Sequence, residues 1–196
     1  LPYLFLGVFC YVIGYILMAF RLEDVQRRME ASAVSVRRQS MEGLLAMGVM
    51  GTALWGIGIA GAGIMYGKTF WHSRTLGYYF LNSLLMMAVA LSLSYLVGMF
   101  TKNSNMLSGL ANVVSLGMCF LCGVFVPMNV MDKKVLTVSR FLPVYWYEQV
   151  NELLGEYTTL TENAVSQIHM AMGIEALFAV VFVCLTLTVV KYKRQK

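Results

Sequence analysis

The side chains that could carry chemistry are few and lie scattered in apolar sequence. Glu175 lies inside a long apolar stretch, where a carboxylate costs about 3 kcal/mol unless it is paired or protonated. It is a candidate for proton or substrate binding, or for a hydrogen-bonded structural role. His72 and His169 each lack a second ligand at metal spacing, and Cys119 and Cys122 form a lone C-x-x-C pair. We therefore predict no metal site.

No pattern in the sequence points to an enzyme. There is no Ser/His/Asp arrangement, no nucleophile elbow and no pair of carboxylates, so we predict no catalytic residue. Gly67-Lys68-Thr69 resembles the end of a phosphate-binding loop, but Ala62 stands where that motif needs glycine, and no strand precedes it. The chain is expected to bind no cofactor itself.

The elements that must hold these residues are membrane-spanning helices. The chain has 196 residues, of which 59% are hydrophobic and 13% charged. Its apolar runs approach the roughly 20 residues that cross a bilayer as helix, without the alternation of a barrel. We predict an all-α polytopic membrane protein, with residues 1–196 forming a single transmembrane domain. Its five spans are predicted at residues 1–20, 43–66, 77–100, 106–126 and 170–190.

The basic residues predict the orientation of these spans. The net charge of +5 comes mostly from residues that flank apolar runs, so it indicates topology rather than nucleic-acid binding. If residues 21–42 are cytoplasmic, the inner side carries Arg21, Arg27, Arg28, Arg37, Arg38, Lys102, Lys191, Lys193, Arg194 and Lys196, and the outer side carries Lys68, Arg74, Lys133, Lys134 and Arg140. The C-terminus is then cytoplasmic, and a preceding span is expected, which gives a six-span parent.

Two polar segments interrupt the spans. In residues 21–42, Leu22, Val25, Met29, Ala33 and Val36 recur every three or four positions, which predicts an amphipathic helix. Residues 127–160 are too polar to span yet rich in aromatic residues, and Pro127 and Pro143 divide them. We predict one or two short helices there that dip into the outer leaflet and line or plug the outer mouth of a path.

The second span is crowded with small residues. Gly56 with Ala60 and Gly58 with Ala62 are spaced four apart, as are Gly63 and Gly67. Such pairs let helix backbones approach closely, either within one subunit or at a subunit interface. The spacing leaves both interpretations open.

Two motifs carry a resemblance to a known family. The first is the basic amphipathic loop that continues as ASAVSVRR at Ala31–Arg38; the second is GVFVPMNVMDKKVLTVSRFLPVYWYE at Gly123–Glu148. The chain resembles the ABC-2 type permeases, the membrane subunits of ABC exporters, over essentially its whole length as spans two to six. Family members often have a proline in the part aligned with ASAVSV, whereas this chain has no proline in that segment.

The resemblance implies the permease subunit of an ATP-driven exporter in the bacterial cytoplasmic membrane. It would contact lipid, pair with an identical or different second permease, and receive motion from cytoplasmic ABC ATPase subunits that hold ATP and Mg. The ATPase-docking coupling helix would use Leu22, Glu23, Asp24, Val25, Arg27, Arg28 and Met29. The external gate would use Phe125, Val126, Pro127, Phe141, Pro143, Tyr145, Trp146 and Glu148.

Two other functions fit the sequence. An ion-coupled secondary transporter would use Glu175 as its coupling carboxylate. A structural or assembly protein would transport nothing.

Overall fold

The computed structural model describes residues 1–20, 22, 25, 27, 36–71, 75–156 and 161–194. Its α-helices are α1 (Pro2–Ala19), α2 (Val36–Trp71), α3 (Leu76–Phe100), α4 (Ser104–Asn112), α5 (Met118–Leu121), α6 (Lys133–Ser139), α7 (Pro143–Glu156) and α8 (Glu162–Arg194). Within these ranges there is no strand. The predicted all-α class is therefore confirmed.

Five stretches are long and apolar enough to cross a membrane, as predicted. They are Pro2–Ala19, Leu45–Gly67, Leu76–Phe100, Ser104–Leu121 and Glu162–Val189. Two helices begin at least seven residues before the predicted spans: α2 at Val36 and α8 at Glu162. Residues 36–42, assigned to the coupling loop from the sequence, thus form the first turns of α2. Apolar runs mark only the part of a helix within lipid, and a helix can continue into water where its polar side chains are solvated.

The fourth span is broken rather than regular. Asn103 caps α4, since its Oδ1 accepts from the backbone N–H of Met106 at 2.8 Å. A π-helical turn, Val113–Gly117, then separates α4 from α5. Within it the Ser115 hydroxyl donates to the carbonyl of Ala111 at 2.7 Å. Such turns widen a helix locally and often lie at functional positions.

The core lies between α1 and α3. Phe5, Phe9 and Ile13 of α1 pack with Met86 and Ala90 of α3, and all five are fully buried. Because membrane helices gain their packing energy from close contact rather than from apolar burial, small residues at the crossing matter most.

The backbones of α1 and α3 approach each other closely at a pair of glycines. A Cβ added to Gly98 would lie 3.2 Å from the Cα of Gly14. Nearby, Cys10 Sγ and Ser94 Oγ lie 3.2 Å apart in a buried hydrogen bond. The two helices are therefore joined by backbone proximity and by a polar contact.

The α2 helix lies at the edge of the bundle. The indole N–H of Trp55 donates to Ser83 Oγ of α3 at 2.9 Å, and its ring packs edge-on against Phe80. Other apolar side chains of α2, such as Ile57 and Ile64, are more than two-thirds exposed. Gly67, with a φ of 55°, interrupts the helix with a kink that favours glycine.

Candidate functional site

Short helices follow the fourth span, as the sequence predicted. The chain turns at Gly123, where φ is 93° and a side chain would meet Met128, and passes through a 3-10 turn at Met128–Val130. The α6 helix is then fixed to the end of α5, because the Ser139 hydroxyl donates to the Leu121 carbonyl as well as to that of Val135. This segment is a folded element rather than a loose loop.

The α7 helix is packed against the bundle at both of its ends. Pro143 supplies its first turn, where the missing N–H costs nothing. Next to it, the fully buried Val144 belongs to the α1–α3 core. At the other end, Val150 packs with Ile168 and Met172 of α8. The middle of α7 is thereby held against α3 and α8.

Polar groups meet at this middle section. Asn82 of α3 donates through Nδ2 to the Tyr147 carbonyl at 3.1 Å and to Asn151 Oδ1 at 3.3 Å. Asn151 Nδ2 in turn donates to Glu148 Oε2 at 3.5 Å. Asn82, Tyr147, Glu148, Asn151 and Glu175 are called the polar cluster below. It connects α3, α7 and α8.

Glu175 differs from the rest of the polar cluster in making no side-chain hydrogen bond. It is fully buried, and neither of its carboxylate oxygens has a hydrogen-bond partner. The Oδ1 of Asn82 is likewise unpartnered. Leaving a buried polar atom unpaired costs about 1–3 kcal/mol, and such atoms often mark a functional site.

Burial and negative charge dominate the electrostatics of α7. Burial raises the pKa of Tyr147, and the carboxylates of Glu148 and Glu175 raise it further, against a lowering hydrogen bond from Asn151. Burial also raises the pKa of Glu148, although its hydrogen bond with Asn151 opposes this. Two acids therefore share one poorly solvated region, which can hold a proton or attract a cation.

A cavity of about 730 Å³ opens beside the polar cluster, between α1 and α2. Most of its lining is apolar. Tyr66 and Tyr79 line it as well, and α7 contributes Tyr147 and Asn151 as a polar end. Two residues of the polar cluster therefore border a space large enough for a ligand.

The predicted gate residues do not form one group. Tyr145 and Pro143 are buried, while Trp146 is half-buried and donates its indole N–H to the Arg140 carbonyl at 2.9 Å. Phe141 is 77% exposed. Phe125, 45% exposed, packs near Tyr3 and Phe120, next to Val126 and Pro127. Glu148 alone of this set belongs to the polar cluster.

The predicted coupling helix is only partly described. Leu22 is 60% exposed, and its N–H donates to the Ala19 carbonyl at 3.2 Å. Val25 N–H donates to the Leu22 carbonyl at 3.0 Å, so the chain keeps turning after α1. Arg27 is exposed. Glu23, Asp24, Arg28 and Met29 lie outside the described residues.

The other candidate ligands remain apart. Cys119 and Cys122 are buried free thiols, and the His169 ring packs 5.9 Å from that of Tyr78. His72 lies outside the described residues. In the portion of the chain with defined positions, no three His, Cys, Asp or Glu side chains converge on a possible metal site.

Sequence reasoning selected Glu175 and Glu148 but missed the two asparagines beside them. Asn82 is one of several polar residues within the spans, and nothing in the sequence singles it out. Asn151 was not identified, although it follows Tyr147 by four positions and Glu148 by three, which places all three on one face of α7. That spacing was the available signal.

The comparison with known families decides the identity. A family model described as "ABC-2 family transporter protein" matches residues 1–188. The chain belongs to the ABC-2 transporter family. No curated protein and no solved structure matches it. It is a multi-pass membrane permease of an ABC transporter, a type of subunit that associates with ABC ATPases.

Proposed function

We propose that this ABC-2 permease is the transport subunit of an ATP-driven exporter in the cell membrane. The observation that carries the proposal is the family match over residues 1–188, which coincides with five membrane-crossing helices. ATP and Mg are held by partner ATPase subunits, and a second permease subunit, identical or different, completes the path. The C-terminus is cytoplasmic.

Residues 21–42 act as the coupling segment in this proposal. The chain leaves α1 in a turn at Leu22 and Val25 and enters the long α2 helix at Val36. A motion applied to this segment would reach the bundle through α1, which forms the core with α3. The apolar stripe of Leu22, Val25 and Met29 is the docking face for the ATPase.

The α6 and α7 helices form the external gate. Their attachments to α5, α3 and α8 make them respond to movement of the spans. Glu148 and the polar cluster lie on the inner face of α7, where the gate meets the path.

The experiment is co-expression of the full-length permease with candidate ABC ATPases from the same genome. We expect co-purification, and ATP-dependent accumulation of substrate inside inverted membrane vesicles, since export from the cytoplasm is uptake in that orientation. Replacing Leu22, Val25 and Met29 with Ser, while keeping every Arg, should abolish export and leave membrane insertion normal, because only the docking face is lost.

A matched control is Ala31→Gln, at the opposite side of a helix drawn through the same segment. It should leave export intact. Export that survives the triple replacement would show that residues 21–42 serve only as a topology signal, and failure of the ATPase to co-purify would contradict the proposal.

Glu175 supports a second candidate, the ion-coupled secondary transporter. Its full burial without a hydrogen-bond partner is what a coupling carboxylate needs. On this mechanism, transport survives ATP depletion, collapses with the proton gradient and is lost in Glu175→Gln. Transport that instead stops when ATP is depleted would favour the ATP-driven exporter.

A further inference from the structure

The cavity beside the polar cluster has mostly apolar walls and one polar end. Its volume of about 730 Å³ falls within the range of about 300–1,000 Å³ typical of ligand pockets. Leu4, Leu54 and Ile57 are among its apolar walls, whereas Tyr147 and Asn151 lie at its polar end. This arrangement suits an amphipathic ligand with one polar group.

The α2 side of the cavity is open. Gly61 lines it, and a Cβ added there would meet nothing within 4 Å. Ile57 and Met65, which also line it, are 72% and 80% exposed. At Gly61 the small residue therefore makes room beside α2 instead of bringing two backbones together. A ligand can reach the cavity from the side of the bundle, where lipid lies.

The polar cluster lacks hydrogen-bond donors. Its unpartnered buried atoms, Asn82 Oδ1 and both oxygens of Glu175, are all acceptors. The Asn82 amide cannot be reversed to change this, because its Nδ2 faces two acceptors, the Tyr147 carbonyl and Asn151 Oδ1. The missing partner is therefore a donor.

The local charge is negative, which also favours a cationic hydrogen-bond donor. The carboxylates of Glu148 and Glu175 both act on Tyr147, whose side chain lines the cavity. An ammonium group at this wall thus interacts favourably with the cluster.

We propose that this cavity binds a lipophilic organic amine in its cationic form. The ammonium lies at the Tyr147–Asn151 end, near Glu148 and Glu175, and the apolar body lies against α1 and α2. The ammonium supplies donors that the cluster lacks, and the rings of Tyr79 and Tyr147 can contribute cation–π attraction. This assignment rests on the proposed export function, since it names a class of substrate.

The test is a binding titration on the full-length permease in phosphatidylcholine nanodiscs, without ATPase. The probes are monodansylcadaverine, a fluorescent primary amine, and its neutral N-acetyl derivative. We expect saturable binding of the amine, about tenfold tighter than the derivative, as one charge-assisted contact provides. Glu148→Gln and Glu175→Gln should each remove most of that preference, whereas Glu162→Gln, an exposed carboxylate on α8, should not.

A steric pair tests the location independently of the acids. Gly61→Leu fills the cavity and should abolish binding of both probes, whereas Gly56→Leu, on the same helix but outside the cavity, should preserve it. Equal affinity for the two probes, or an amine preference that survives both Glu→Gln changes, would overturn the assignment.

The amine-binding proposal and the exporter proposal can fail independently. A permease that exports with its ATPase but binds no amine contradicts only this inference. One that binds amine and never associates with an ATPase contradicts only the exporter.

Discussion

Asn82 is the side chain on which the attachment of α7 to α3 depends. It is fully buried and donates two hydrogen bonds between these helices, to the Tyr147 carbonyl and to Asn151 Oδ1. Asn82→Leu keeps the size of the side chain but removes these bonds. We expect it to lower the free energy of unfolding by about 1–3 kcal/mol, measured as thermal unfolding in detergent.

A serine on the same helix provides the comparison. The Ser92 hydroxyl donates only within α3, to the Val89 carbonyl at 2.9 Å. Ser92→Ala should therefore change stability far less. Equal effects of the two substitutions would show that Asn82 contributes no bond between helices.

The raised pKa of Glu148 should make the stability of the folded protein depend on pH. Burial raises its pKa in the folded protein above that in the unfolded chain. Between the two pKa values the folded state holds a proton that the unfolded state has lost, so stability falls as pH rises through this window. Glu148→Gln should flatten that decline and be more stable than the parent above the window. Melting temperatures across a pH series would measure this, and a parallel decline in the variant would contradict it.

At the level of elements, the crossing of α1 and α3 tolerates no side chain at Gly98. A Cβ there would lie 3.2 Å from the Gly14 backbone and 2.9 Å from Leu17 Cδ1. Gly98→Ala must push the helices apart, and we expect a loss of about 1–3 kcal/mol. Gly77→Ala, on the same helix with open space around it, should have little effect or stabilise α3 slightly. Unfolding midpoints of the two variants, measured together, check the difference.

The elements were more predictable from the sequence than their contacts. Runs of apolar residues located all five spans because each span must be apolar by itself to enter lipid. The paired prolines likewise indicated the short helices near α6 and α7. Contacts between helices carry no such local signal, since a polar residue such as Asn82 is the same in sequence whether it bonds within its helix or across to α7. The unpartnered state of Glu175 was also invisible, because it depends on what three helices place around it.

Within the same spans, several polar residues do bond between helices. Ser94 pairs with Cys10, and Ser83 accepts from Trp55. Ser92 and Ser115 instead bond to carbonyls of their own helices. The choice depends on whether a partner lies within reach.

At the scale of the whole molecule, the distribution of basic residues predicts which end faces the cytoplasm. Lys133, Lys134 and Arg140 lie between the fourth and fifth spans, and Lys191, Lys193 and Arg194 follow the last apolar stretch. The basic C-terminal group is expected on the inner side. We predict that a cysteine at Lys134, which is exposed at the start of α6, reacts with a membrane-impermeant maleimide in intact cells. A cysteine at Lys193 should react only after permeabilisation.

The background for this labelling follows from the positions of the native thiols. Cys10, Cys119 and Cys122 are buried, whereas Cys184 is exposed on the surface of α8 within the last span. A Cys184→Ser parent therefore removes the exposed native thiol while leaving the three buried ones in place. Labelling of the Lys193 position from outside would reverse the topology. It would place residues 21–42 on the outer side, where no cytoplasmic ATPase could bind them, and so contradict the coupling mechanism as well as the orientation.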